Sequence, residues 1–219
     1  MIHIDWNNLS TVMTMVTTVA FAVTAVLAIR DECHVDIVGA TILGLITAIG
    51  GGTCRDVILN VPVFWGQDLS YVWIAIAASV AAFYGRKFFA KRYLYALMLY
   101  LDGLGVAMFA IQAAGKVWDL GFGLPVAPVL LGMLTAIGGG LLRDMLAGRT
   151  TLLMRREIYA APVLLGCTAF VILLVYSPAY RNQGGLICIF AIFALRAAAI
   201  HWDLSMPGFA KTSTVEETH

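Results

Sequence analysis

One ten-residue stretch occurs twice in this chain. TAIGGGTCRD at Thr47–Asp56 returns as TAIGGGLLRD at Thr135–Asp144, 88 residues later. Aligned without gaps, Thr41–Leu59 and Val129–Ala147 agree at ten of nineteen positions. Chance does not produce this agreement, even in apolar sequence. The repeat therefore predicts a chain built from two related halves.

The residues around both copies are too apolar to cover a soluble globule. The chain is 61% hydrophobic and 12% charged, whereas soluble domains carry roughly 25% charged residues. This composition is typical of a polytopic membrane protein. The net charge of +1 argues against a polyanionic partner, so no nucleic acid is expected. The four cysteines form no CxxC, which disfavours a disulfide framework or a zinc site.

Seven segments are apolar enough to be predicted membrane spans, each needing roughly 20 residues. They are Val12–Ile29, Ile37–Leu59, Leu69–Gly85, Tyr93–Gly115, Leu124–Ala147, Ile158–Tyr176 and Gly184–Trp202. The first has no basic region before it, so we expect a retained helix and not a signal peptide. The prediction is a single all-α transmembrane domain with seven helices.

The repeat unit is three helices long. Repeat one covers residues 10–90, repeat two 93–178 and an extra helix 184–203, before a polar tail, 208–219, that is predicted to be disordered. Because three is an odd number of spans, the second copy enters the membrane upside down. Such inverted repeats place functional sites near the midplane, between the halves.

Basic residues predict the orientation. The third and fifth connections and the tail are basic, whereas the loops of opposite parity offer only Lys116 and Arg181. The basic set is Arg86, Lys87, Lys91, Arg92, Arg149, Arg155, Arg156 and Lys211. The positive-inside rule then places the N-terminus outside and the C-terminus in the cytoplasm.

Three consecutive glycines stand near the middle of spans two and five. They are Gly50, Gly51 and Gly52, and Gly138, Gly139 and Gly140. Each costs a helix roughly 1 kcal/mol relative to alanine. One interpretation is close approach of neighbouring helices, as small residues allow in membranes. The other, favoured by the symmetric doubling, is a kinked or unwound helix whose freed carbonyls line a water-filled path for cations.

An Arg-Asp pair follows each triplet, Arg55–Asp56 and Arg143–Asp144. Charges within a span are costly and usually functional, although an arginine can also extend its head to the interface. Adjacent residues of a regular helix point about 100° apart, so direct pairing is not expected. We predict that each Arg bonds freed carbonyls or an Asp of a neighbouring helix. Each Asp would face the aqueous path, with one pair in each half of the membrane.

Asp102, in span four, is a third intramembrane carboxylate, and its counterpart in repeat one is Thr14. A functional role is the default for such a residue, and a packing role is the alternative. Thr47 and Thr135 precede the glycines by one turn and could line the same path or bond back to their own helices. Arg196 is expected to extend to the cytoplasmic interface.

Motifs of catalysis are absent from the sequence: it has no Walker motif, HExxH or GxSxG. The four histidines are scattered and near segment ends. We therefore expect no enzyme, no catalytic residue and no bound metal.

The paired AIGGGxxRD elements, with YLDGLGVAMFAI before the second copy, resemble the bacterial branch of the trimeric intracellular cation (TRIC) channel family. The resemblance implies a homotrimer with one pore in each subunit, passing K⁺ above all and also Na⁺. It implies spans two and five kinked at their glycines, with the Arg-Asp pairs as polar groups of the pore. It also implies a bacterial inner membrane, surrounding lipids and no cofactor other than a bound lipid.

Two alternatives to a channel remain. Bacterial proteins with the doubled signature have also been labelled glycine transporters, and an inverted repeat suits a carrier of a small solute as well as a channel. In a purely structural membrane protein, the buried charges would matter only for stability.

Overall fold

The part of the chain that the structure describes is helical. The computed structural model describes residues 6–29, 35–88, 91–154, 159–202 and 204. The helices are α1 (Trp6–Ala28), α2 (Ile37–Ile58), α3 (Phe64–Gln67), α4 (Ser70–Gly85), α5 (Lys91–Asp119), α6 (Val126–Leu146), α7 (Ala160–Tyr176) and α8 (Arg181–His201). Short 3₁₀ turns lie at Arg86–Phe88, Leu152–Met154 and Pro178–Tyr180.

Each of the seven predicted spans corresponds to one long helix, and the all-α prediction is confirmed. Five helices, α1, α2, α5, α6 and α8, are long and apolar enough to cross a membrane. The helices α4 and α7 have 16 and 17 residues. They extend about 24–26 Å, slightly less than the ~30 Å hydrocarbon core. The exact count of seven spans therefore stays a prediction, and the predicted tail, 208–219, lies outside the described residues.

Helix α5 lies at the centre of the bundle and contacts α1, α6, α7 and α8. Its Val106, Ala110, Ile111 and Val117 are completely buried. Large apolar side chains on the other helices point outward, among them those of Ile42, Trp73, Leu130 and Phe190. An apolar exterior of this kind suits lipid and not water.

Helices α2 and α6 cross at their glycine triplets. A Cβ on Gly51 would collide with the carbonyl oxygen of Thr135, and a Cβ on Gly139 with that of Thr47. Both helices are continuous through their triplets, so neither is unwound there and that part of the sequence prediction is wrong. The alternative interpretation, close approach of the two helices, is the one that the contact supports. Only glycine leaves room there for the opposing backbone. A kink at these glycines stays a prediction.

The same contacts recur in both halves of the chain at a spacing of 88 residues. In the first half Gly44 faces the carbonyl of Ala22 and the hydroxyl of Ser79. In the second half the corresponding residues do the same: Gly132 faces the carbonyl of Ala110 and the thiol of Cys167. These contacts join α1, α2 and α4 in one set and α5, α6 and α7 in the other. They support the three-helix repeat, whose full extent stays a prediction.

Helices α2 and α6 also end in the same way. The residues after their C-caps, Asn60 and Gly148, have φ of 53° and 62°, a left-handed conformation that these residue types tolerate. The N–H of Val61 bonds to the carbonyl of Asp56 at 3.0 Å, and that of Arg149 to Asp144 at 2.8 Å. These are Schellman motifs, and they place each Arg-Asp pair in the last turn of its helix.

Candidate functional site

The Arg143 cluster consists of Arg143, Asp144, Asp102, Tyr159 and Arg196, from α5, α6, α8 and the residue before α7. Nη1 of Arg143 donates to Oδ1 of Asp102 at 2.6 Å, and its Nε to Oδ1 of Asp144 at 2.8 Å. Arg143 and Asp102 are both 0% exposed. The predicted bond between an arginine and an Asp of a neighbouring helix is observed here.

Arg196 completes this cluster. Its guanidinium carbon lies 4.4 Å from the centre of the Tyr159 ring, a cation–π distance. The side chain of Arg196 is completely buried, so the prediction that it extends to the interface is wrong. Its ring contact inside the bundle replaces the contact with lipid headgroups. With two arginines and two carboxylates, the Arg143 cluster has a formal charge of zero.

The Arg55 cluster consists of Arg55, Asp56, Lys116, Phe64 and Phe109. Nε of Arg55 and Nζ of Lys116 both donate to Oδ1 of Asp56, at 2.8 and 2.7 Å. The guanidinium lies 5.7 Å from the ring centre of Phe109 and 6.0 Å from that of Phe64. Two cations share one carboxylate, so this cluster has a formal charge of +1.

Both clusters show that an arginine can pair with the aspartate next to it on a helix. The sequence analysis excluded this pairing, and that prediction is wrong for Arg55–Asp56 and Arg143–Asp144. The Cβ atoms do point apart, but the long arginine stem bends back and brings the guanidinium to the carboxylate. The pairing needs no distortion of either helix.

The aspartates bind the protein and do not face an aqueous path. The second oxygen of Asp56 accepts the N–H of Phe64 at 2.9 Å, and that of Asp144 accepts the N–H of Leu152 at 3.0 Å. Both carboxylates are buried. The prediction that they line water is therefore wrong for this structure, where each fixes the segment after its helix.

A polar cavity of about 330 Å³ opens beside the Arg55 cluster. Its wall comes from the first half of α1, the C-terminal parts of α2 and α5, α3 and the start of α4. The lining residues are Ser10, Thr11, Thr14, Arg55, Phe64, Gln67, Tyr71, Phe109, Gln112 and Lys116. Arg55 itself is 5% exposed and the Lys116 side chain is 34% exposed.

One residue pair distinguishes the two clusters. Asp102 binds Arg143, whereas the hydroxyl oxygen of its counterpart Thr14 lies 2.8 Å from the carbonyl oxygen of Ser10 and 3.0 Å from Oε1 of Gln112, two acceptors for its one proton. Arg55 therefore lacks the second carboxylate that Arg143 has. The Arg143 cluster is buried and formally neutral, and the Arg55 cluster has a formal charge of +1 and borders a cavity.

The two threonines before the triplets lie at the crossing of α2 and α6. Thr47 donates its hydroxyl to the carbonyl of Leu43 at 2.7 Å, which is the bond back to its own helix that the sequence analysis weighed. Thr135 is 2% exposed. Their own carbonyls are the groups that the opposing glycines approach.

The clusters lie toward opposite ends of the bundle. Asp102 and Lys116 are both on α5, fourteen residues apart, which corresponds to roughly 21 Å along the helix. The crossing of α2 and α6 lies between them. Among the described residues, no group of three His, Cys, Asp or Glu is arranged to hold a metal ion.

Four members of these clusters were not predicted as site residues: Lys116, Tyr159, Phe64 and Phe109. Lys116 was counted only as a loop charge, although it falls within the last turn of α5. A lysine at that position could have been flagged as an intramembrane charge. Tyr159 and Phe109 carry no signal in the sequence, because their contacts come from distant segments.

The sequence of this chain matches one protein-family model and is similar to known bacterial membrane proteins. Residues 11–87 and 99–174 match the family model described as "Glycine transporter". The UPF0126 inner membrane protein YadS of Escherichia coli strain K12 is 33% identical over 204 residues, covering 90% of this chain and 94% of that protein. The UPF0126 membrane protein YvgT of Bacillus subtilis strain 168 is 38% identical over 151 residues, covering 68% and 72%.

Solved structures show the same fold. The TRIC trimeric intracellular cation channel orthologue from Rhodobacter sphaeroides superposes with a TM-score of 0.83 at 35% identity, covering 90% of this chain and 99% of that chain. A TRIC channel from C. elegans, solved with bound Ca²⁺, gives a TM-score of 0.63 at 11% identity, covering 85% and 90%. The second likeness shows the fold alone.

Proposed function

The chain belongs to the TRIC channel family in its bacterial branch, and we propose that it conducts monovalent cations, K⁺ above all and also Na⁺. It is an integral membrane protein. Its proposed form is a homotrimer in the bacterial inner membrane, among lipids and without a cofactor. The N-terminus would lie outside and the C-terminus in the cytoplasm.

We place the pore within each subunit, between α2 and α6. The observation that carries this proposal is the crossing of these helices. The Arg55 cluster lies on one side of the crossing and the Arg143 cluster on the other. Backbone carbonyls of Thr47 and Thr135 are directed at the opposing glycines there. Separation of the helices would uncover oxygens of the kind that replace an ion's hydration shell.

In this proposal the structure corresponds to a closed pore. Arg143 and Asp102 are completely buried between α5 and α6 and would fill the proposed path on one side of the crossing. An arginine would ordinarily repel a cation, but Asp102 and Asp144 neutralise this one. Opening would require the Arg143–Asp102 bond to break.

Potassium flux into liposomes tests this proposal. The purified wild-type protein is expected to carry fast K⁺ flux that does not saturate. Asp102→Asn with Arg143→Gln removes the ionic bond and keeps a polar side chain at each position. A hydrogen bond between charged groups contributes roughly 1.5–3 kcal/mol, so opening becomes easier and we expect a rise in flux of about tenfold or more.

The matched control is a double variant that removes an ion pair outside the Arg143 cluster. Arg181 and Asp119 form a half-exposed pair at 2.5 Å, and Arg181→Gln with Asp119→Asn should leave the flux unchanged. Absence of K⁺ flux in the wild type, with saturable uptake of glycine in the same liposomes, would refute the channel and establish a carrier. Equal flux in both double variants would refute the assignment of the Arg143–Asp102 pair to the gate.

A further inference from the structure

We propose that the polar cavity beside the Arg55 cluster is a binding site for a small monovalent anion, either chloride or a small carboxylate. The proposal does not depend on conduction, because it concerns binding to the closed protein. Its basis is a cavity of about 330 Å³ whose two charged lining residues, Arg55 and Lys116, are both cations.

Among the described residues, no further carboxylate lines the cavity to balance the charge of this site. Asp56 is the shared partner of Arg55 and Lys116, and its other oxygen is taken by the N–H of Phe64. Asp119, at the end of α5, pairs with Arg181. One formal positive charge therefore remains at the cavity wall, where it is partly removed from water.

Another described carboxylate, Asp68, lies between α3 and α4 and is not part of the cavity wall. Hydrogen bonds from the side chain and backbone N–H of Ser70 lower the pKa of Asp68. Asp68 is partly exposed, so water screens its charge. It does not replace a counter-ion inside the cavity.

The cavity wall offers the donors that an anion needs. A lysine ammonium has three N–H donors, and Lys116 gives one to Asp56 at 2.7 Å. Its side chain is 34% exposed and lines the cavity, which leaves donors for a ligand. Hydroxyl and amide groups of Thr11, Tyr71, Gln67 and Gln112 surround the remaining space.

The other half of the protein shows what a carboxylate does in the equivalent place. Asp102 neutralises Arg143 at 2.6 Å, and Thr14 stands where the repeat would put that carboxylate beside Arg55. A bound anion would supply the missing negative charge. With a water molecule occupying about 30 Å³ of liquid, the cavity has room for chloride or acetate with several waters.

Chloride-35 NMR tests the site directly. The detergent-solubilised wild-type protein, in gluconate buffer, is titrated with chloride and the broadening of the chloride line is followed. We expect saturable broadening that acetate and glycine reverse if carboxylates also bind. If neither acetate nor glycine reverses the broadening, the site is specific for halides. Reversal and lack of reversal both support an anion site.

Two variants change the charge of the site in different ways. Lys116→Gln removes a donor, and Thr14→Asp adds the carboxylate found in the other half. Each brings the formal charge of the site to zero, and each should weaken chloride binding about tenfold or more. Lys116→Gln removes a charged hydrogen bond, and Thr14→Asp places a carboxylate that pairs with Arg55 and repels the anion. Lys87→Gln, at an exposed lysine after α4, removes one charge elsewhere and should bind like the wild type.

Several outcomes would overturn the proposal. One is the absence of saturable broadening in wild-type protein that elutes as a single species. Another is unchanged binding in both cavity variants. Should those variants fail to fold, anomalous diffraction from wild-type crystals soaked in bromide decides the question. A bromide ion beside Nζ of Lys116 supports the site, and bromide found only elsewhere refutes it.

Discussion

Replacing Arg143 with methionine is expected to lower the free energy of unfolding by about 3–5 kcal/mol, the usual cost of breaking a buried ion pair. Methionine fills much of the volume of arginine, so the loss comes from charge. Asp102 is 0% exposed and Arg143 is its ion-pair partner at 2.6 Å. In the Arg143→Met variant, the carboxylate of Asp102 would remain buried without the positive charge that pairs with it. Unfolding of the purified protein in mixed micelles, followed by circular dichroism, measures the effect.

Two controls separate charge from packing. Arg143→Met together with Asp102→Leu removes both members of the pair and should recover part of the loss, because Asp102 no longer leaves a buried charge and only Asp144 loses its bond to Arg143. Arg55→Met should cost less than Arg143→Met, since Asp56 keeps Lys116. Equal losses in the single and double variants at Arg143 would show that the pair has only a packing role.

Substitution of two neighbouring glycines by alanine is expected to give effects of opposite sign. A Cβ at Gly139 would collide with the carbonyl of Thr47, whereas a Cβ at Gly138 would lie 3.6 Å from the Cα of Gly51, an ordinary contact. Gly139→Ala must push α2 and α6 apart and should cost about 1–3 kcal/mol. Gly138→Ala should be neutral, or stabilise by up to about 1 kcal/mol through helix propensity.

The same unfolding measurement distinguishes these variants. Gly51→Ala, whose Cβ would meet the carbonyl of Thr135, should behave like Gly139→Ala, because the two contacts are reciprocal. Similar stabilities of the Gly138 and Gly139 variants would contradict the close crossing of α2 and α6. Such a result would favour a structure in which α2 and α6 separate or kink at the glycine triplets.

Much of the fold was predictable because it depends on local properties of the chain. Runs of apolar residues predicted all seven long helices, since a membrane requires each span to satisfy its own backbone hydrogen bonds. The spacing of 88 residues predicted which segments are related. The contacts of Gly44 and Gly132 recur at that spacing, as two copies of one unit would produce.

Only some members of the candidate site were predictable. Arg143, Asp144 and Asp102 were identified because charge within an apolar run is costly. A bond from an arginine to an Asp of a neighbouring helix was predicted and is observed. Three other predictions failed: that adjacent Arg and Asp do not pair, that the aspartates face water, and that Arg196 extends to the interface. Side-chain reach and the position of neighbouring segments decided these points, and neither is encoded in helical periodicity.

The sequence by itself determined the helices, their apolar exteriors, the two related halves and the small set of costly buried charges. These follow from residue types and spacing, which act along the chain. Only the tertiary structure decided that the glycines serve close contact, that Arg143 binds Asp102 across 41 residues, and that Lys116 joins Asp56 across 60. The physical reason is that ion pairs and helix crossings form between segments brought together by folding, so their energies depend on distances that no local pattern specifies.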